Sequence, residues 1–152
     1  MKITGFSFAV GKIITVSDSI SPLPDVIISV FTNETSIISA AISGLSGEKC
    51  LQRIYPQHAM FPNYIAIDTT IADTARKIFD SLIEAPETGY YEFSNVDKNQ
   101  VWAIKTRENR YAKILILNSV ARTDTSDSGS VSYYGQVTFD WVYQANGSRS
   151  FK

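Results

Sequence analysis

The chain has 152 residues, 44% hydrophobic and 19% charged, a balance that suits one globular domain with a sizeable core and excludes a disordered chain. Lys and Arg number 14 against 15 Asp and Glu, so no global field draws in nucleic acid or an anionic membrane. No apolar run approaches the roughly 20 residues of a membrane-spanning helix, and a lone cysteine, Cys50, excludes an intrachain disulfide.

Taken in chain order, the first elements are β-prone. Ile3–Val10 and Lys12–Ser17 form two short runs, with Phe6 and Phe8 on one face and Gly11 placed for a turn. Pro22 and Pro24 make residues 18–24 a loop, because proline denies a donor to a strand ladder. Asp25–Thr32 is nearly continuous apolar and β-branched sequence, the pattern of a central strand, and the Asn33–Ser36 turn leads into Ile37–Ser43 to complete a hairpin. Gly44 and Gly47 open another loop, Cys50–Tyr55 is a short strand, and the stretch from Pro56 to Asn63 is irregular.

One helix is predicted, over about Ile71 to Ala85. Ile71, Ala75, Ile78, Phe79, Leu82 and Ile83 recur at helical spacing and form one apolar stripe. Thr70 stands as its N-cap with Asp73 three residues on, a capping box with Asp in place of Glu, and Pro86 stops it. Strands then follow at Tyr90–Phe93, Val101–Thr106, Arg110–Leu117 and Gln136–Gln144. In the last of these Val137, Phe139, Trp141 and Tyr143 fall on one face, with Thr138 and Asp140 on the other, the alternation of a half-buried strand. Residues 124–132, rich in Ser and Asp, read as a mobile loop. The fold class is mainly β, a β-rich α+β arrangement of antiparallel sheets with one amphipathic helix, in a single domain over residues 1–152.

Catalytic chemistry finds little support. His58 is the only histidine, and a Cys-His or Ser-His mechanism would have to pass through it. Gly44-Leu45-Ser46-Gly47 lacks nucleophile-elbow spacing, and structural zinc needs about four Cys or His ligands where the chain has two. Asp124 and Asp127 do not have the spacing of a calcium loop. Lys98, Lys105, Arg107, Arg110 and Lys113 surround Trp102 and Tyr111, a basic and aromatic mixture able to meet single-stranded nucleic acid. Arg107 and Arg110 flank a hairpin tip, however, where solvated charge protects strand ends. Asn33-Glu34-Thr35 and Asn146-Gly147-Ser148 match the glycosylation pattern, but both suit turns.

The C-terminal third carries a family resemblance. Val101-Trp102-Ala103-Ile104-Lys105-Thr106, Arg110-Tyr111-Ala112-Lys113-Ile114 and Thr138-Phe139-Asp140-Trp141-Val142-Tyr143-Gln144, followed by Asn146-Gly147-Ser148, resemble the C-terminal signature of the HmuY-like proteins. These are haem-binding lipoproteins of Bacteroidetes-type bacteria and their relatives. The resemblance implies a β-rich fold, a cell-envelope or secreted location, and capture of haem. The family's haem binder is similar to a clamp with two histidines, and some relatives use methionine. Here the candidates are His58 and Met60, which in an extended segment project from one face and lie too close along the chain to clamp both faces of one haem. Neither lies in the matched segment.

These observations lead to a non-enzymatic binding or interaction module of the bacterial envelope, its ligand or protein partner unspecified, with no role in nucleic-acid binding. A haem carrier using His58 or Met60 is the alternative, and a small enzyme with a site of scattered residues the third reading. The opening residues, MKITGFSFAVGK, pair one Lys with an apolar stretch interrupted by Gly5 and Ser7, and no cleavage site follows. The lone cysteine suits the cytosol as well as the envelope.

Overall fold

A computed structural model describes residues 3–16, 23–32, 38–55 and 69–152. Among the described residues nine strands form two antiparallel sheets. The first sheet takes β1 (Ile3–Ser7), β2 (Lys12–Val16), β3 (Val26–Thr32), β4 (Ile38–Gly44) and β6 (Phe93–Asn95), in the order β2-β1-β3-β4-β6. The second takes β5 (Leu51–Tyr55), β7 (Val101–Lys105), β8 (Tyr111–Thr125) and β9 (Val131–Gln144), in the order β5-β7-β8-β9. The helix α1 (Thr69–Ser81) packs on the second sheet from the far side, so the described residues form three layers.

The apolar sequence of β7 and the first half of β8 follows from this layering. A strand between two layers must be apolar on both faces, and Val101–Ile104 and Tyr111–Ile116 are buried throughout. On the face toward the first sheet, Trp102, Ile104, Ala112, Ile114 and Ile116 join Phe8, Val26 and Ile42 in the main core. On the opposite face Val101 and Leu115 meet Ala75 and Phe79 of the helix in a second core. The predicted central strand is the middle strand of the first sheet, pairing β1 on one side and β4 on the other.

The terminal strand keeps its predicted faces. Val137, Phe139 and Tyr143 pack against the main core, while Asp140, opposite Leu115 in the ladder, reaches the helix and pairs with Arg76 at 2.5 Å. Trp141 departs from expectation in part: it faces inward onto Phe6 and Phe8 but keeps 37% of its surface in solvent.

Several boundaries are corrected. The helix begins at Thr69, so Thr70 lies within it and is not its cap, and it ends at Ser81 rather than Ala85. The residues after it are taken by the chain's end: Ala85 N–H donates to Arg149 O at 2.8 Å, Phe151 N–H donates to Ile83 O at 2.8 Å, and Glu84 bridges Ser150. Backbone groups committed to that pairing cannot close another helical turn. The strand expected at Tyr90–Phe93 lies at Phe93–Asn95, preceded by a bridge from Tyr91 to Leu51. The largest difference is at residues 118–136. In place of a loop over 124–132, β8 and β9 run on as a hairpin arm to Thr125 and Val131, leaving Ser126–Ser130 as the tip. A β-bulge between Ile116 and Asn118 marks where the arm leaves the core.

Candidate functional site

The two sheets are staggered. β3 lies over β9 and β4 over β8, so β1 lies at the margin of the second sheet and β2 continues the first beyond it. Along that step runs an open groove of about 1190 Å³, floored by β1 and β3 and walled by residues 133–141 of β9. Phe6, Ile13, Ile28, Val30, Tyr133, Val137, Phe139 and Trp141 supply its apolar surface. Thr4, Ser29, Gln136 and Thr138 also border it, and among the described residues no Asp, Glu, Lys, Arg or His lines it. The groove exceeds the roughly 300–1,000 Å³ of small-ligand pockets.

Local sequence builds each wall. Gly11 closes the β1–β2 turn at φ +64°, a left-handed conformation that glycine adopts freely, and Trp141 lies so close that a Cβ there would come 3.2 Å from its ring. Asp25 accepts the Phe8 amide at 2.8 Å, fixing the chain that carries Phe8 beneath Trp141 and Tyr143. Burial pushes the Asp25 carboxyl up, against the lowering effect of that hydrogen bond. Phe6 meets Phe139 and Trp141 edge to face, with ring centres 5.2 and 5.6 Å apart, geometry that suits aromatic quadrupoles. At the other end Gly135 lets β9 approach β3: a Cβ there would stand 2.7 Å from Val30 Cγ2. The groove edge is left wet, with Ile13 70% and Tyr133 58% exposed.

Of the candidate site residues singled out from sequence, those that the structure describes fall elsewhere. His58 and Met60 lie outside the described residues, as do Asn33-Glu34-Thr35. Cys50 is buried, and burial, with a smaller contribution from Glu48, pushes its thiol up to about 12, the behaviour of a structural rather than a reactive cysteine. Trp102 is fully buried and cannot stack on a ligand; its Nε1–H donates to Gln100 Oε1 at 3.1 Å. Of the basic group, Arg107 pairs with Glu48 at 2.6 Å and Arg110 donates to Ala145 O. Lys113 donates to the Phe79 and Leu82 carbonyls at 2.5 and 2.9 Å. Asp124 lies 3.6 Å from Arg122 on the arm, and among the described residues no group of three His, Cys, Asp or Glu is placed to hold a metal. Asn146 takes its turn role, its Oδ1 accepting the Ser148 amide at 2.8 Å.

Among the described residues of the lining, Tyr133 and Tyr134 are the side chains that can ligate iron. Sequence reasoning missed the groove; the signal that could have found it is Gly135, a lone glycine just before the alternating pattern of the last strand, which marks close approach by another backbone or side chain. No helix among the described residues is long and apolar enough to cross a membrane. Comparison with known proteins finds no matching family model, no matching curated protein and no matching solved structure.

Proposed function

We propose that this protein is a non-enzymatic binding module, and that its binding element is the groove between β1, β3 and β9. The observation that carries this reading is the lining: a long apolar and aromatic trough with no charged side chain among the described residues, left open to solvent at Ile13, Tyr133 and Trp141. Soluble proteins rarely leave such a surface uncovered without a partner or ligand for it. Among the described residues the lining carries no carboxylate, histidine, cysteine or lysine, which supports binding over acid–base or nucleophilic chemistry. The ligand class is apolar and uncharged where it contacts the protein. The resemblance of the last third to HmuY-like proteins supports a place in the bacterial envelope.

Titration with an uncharged, environment-sensitive naphthalene dye tests this. Saturable one-to-one binding is expected, with energy transfer from Trp141 and loss of binding in Ile13→Asp. Non-saturable adsorption, or binding indifferent to Ile13→Asp, would remove the groove from consideration. A parallel titration with haemin addresses the haem-carrier alternative. A sharp one-to-one Soret shift that vanishes in His58→Ala or Met60→Ala would favour that alternative over the groove.

A further inference from the structure

We infer that the groove is a vacant strand position, and that its occupant is an extended polypeptide segment that pairs with the free edge of β9. The inference rests on the groove being the binding element. Three observations identify a strand.

The first is hydrogen bonding. β9 ends its sheet, and among the described residues none of its backbone groups pairs with a backbone other than that of β8. Half of its amides and carbonyls therefore point outward, a template for β-addition. Natural edges are blunted with Lys, Pro or short length. This one runs fourteen residues with neither, and its single charge, Asp140, is paired with Arg76.

The second is the stagger. β1 lies at the margin of the second sheet, where Phe6 meets Phe139 and Trp141 of β9, and β2 continues the first sheet beyond it. A strand added to β9 would extend the second sheet past that margin, and its inward side chains would cover Phe6 and Ile13. The β9 wall from Tyr133 to Trp141 is roughly 27 Å long at about 3.4 Å per residue, a span that matches about nine extended residues. Alternate apolar and polar side chains suit it, because one face meets the uncharged trough and the other meets water.

The third separates a peptide from a second copy of this chain. Antiparallel pairing of β9 with its counterpart in one continuous sheet keeps the first sheets of both copies on the same side. The counterpart's β3 would then fall in the layer that β1 and β2 already fill. A single strand meets no such obstacle.

The probe is an acetylated, amidated decapeptide of alternating valine and threonine with a lysine at each end, tested on the intact chain. Two analogues carry backbone N-methyl groups on alternate residues, one analogue for each edge of the peptide. The parent peptide is expected to bind saturably, at or below the millimolar range, and to protect outward amides between Tyr133 and Trp141 from hydrogen exchange. One analogue should bind at least about tenfold more weakly while the other binds like the parent, because an added strand uses one edge. Ile13→Asp, at an exposed position, should weaken the parent peptide. Equal binding of both analogues, or binding without protection of β9, would overturn the inference, as would no saturable binding. Sedimentation of the free protein as a β9-linked dimer would also overturn it, in favour of a second copy. If the naphthalene dye still binds in a manner sensitive to Ile13→Asp, only the strand inference fails; if the dye fails as well, the groove reading falls with it.

Discussion

Gly135 of β9 lies against Val30 of β3 with no room for a side chain between them: an added Cβ would stand 2.7 Å from Val30 Cγ2 and 3.6 Å from Ile28 Cγ2. Valine is stiff at χ1 and cannot swing aside, so the contact sets how near the hairpin arm comes to the first sheet. Gly135→Ala should destabilise the protein by about 1–3 kcal/mol despite alanine's better strand propensity. Val30→Ala in the same chain should recover part of the loss. Denaturant unfolding of the two single variants and the double variant gives the coupling, and simple additivity would refute the contact.

Phe79 lies at the centre of the helix–sheet contact, buried with Ala75, Val101 and Leu115. Phe79→Ala should cost about 3–5 kcal/mol, measured as a shift in urea midpoint at unchanged slope. A loss under about 1 kcal/mol would mean that the helix face does not pack as described.

Lys113 gives the stability a pH signature. Its ammonium caps the end of α1 through the Phe79 and Leu82 carbonyls and sits 4.7 Å from the centre of the Phe79 ring. Burial lowers its pKa below the ordinary lysine value, with Asp80 acting weakly in the other direction. Between the folded and unfolded values the unfolded chain holds more protons, so this residue's contribution to stability rises with pH in the window below 10.5. The free energy of the native protein minus that of Lys113→Met should therefore climb as pH rises through that window. Parallel profiles for the two proteins would exclude the effect.

Cys50 should be silent to thiol reagents in the folded state. Its side chain is 1% exposed and its thiol is pushed up to about 12, and the thiolate is the reactive form. Labelling by a disulfide reagent near pH 8 should follow the rate of global or local opening and become rapid in denaturant. Rapid stoichiometric labelling of the native protein would contradict the burial.

How far the sequence spoke depends on how local each cause is. The faces of β9 near its end were legible because Phe139 and Tyr143 enter the core and Asp140 leaves it. The arm was not legible, because Ser119, Thr123, Thr125 and Ser132 carry no apolar alternation; pairing with the opposite strand holds these residues extended. The end of the helix escaped prediction because its partner, Arg149, is 64 residues away from Ala85. The groove belongs to the same class of feature. It arises from the order in which strands join each sheet, and hydrophobic periodicity carries no information about that order. Gly135, a glycine beside the alternating run of the last strand, carries the one local hint of it.

The bulge at Leu117 separates two properties of the hairpin that usually travel together. Before it, the even-numbered residues of β8 face the first sheet; beyond it, the odd-numbered ones do, while β9 keeps a single phase throughout. Removing Leu117 would leave Ile116 opposite Phe139 and Asn118 opposite Thr138, with every cross-strand partner retained. What would change is direction, because an extra residue in one strand bends and twists the ribbon. One leucine thus steers the arm while contributing nothing to its register. A chain shortened at that position should still form the hairpin and yet aim it along a different course, with Gly135 no longer meeting Val30.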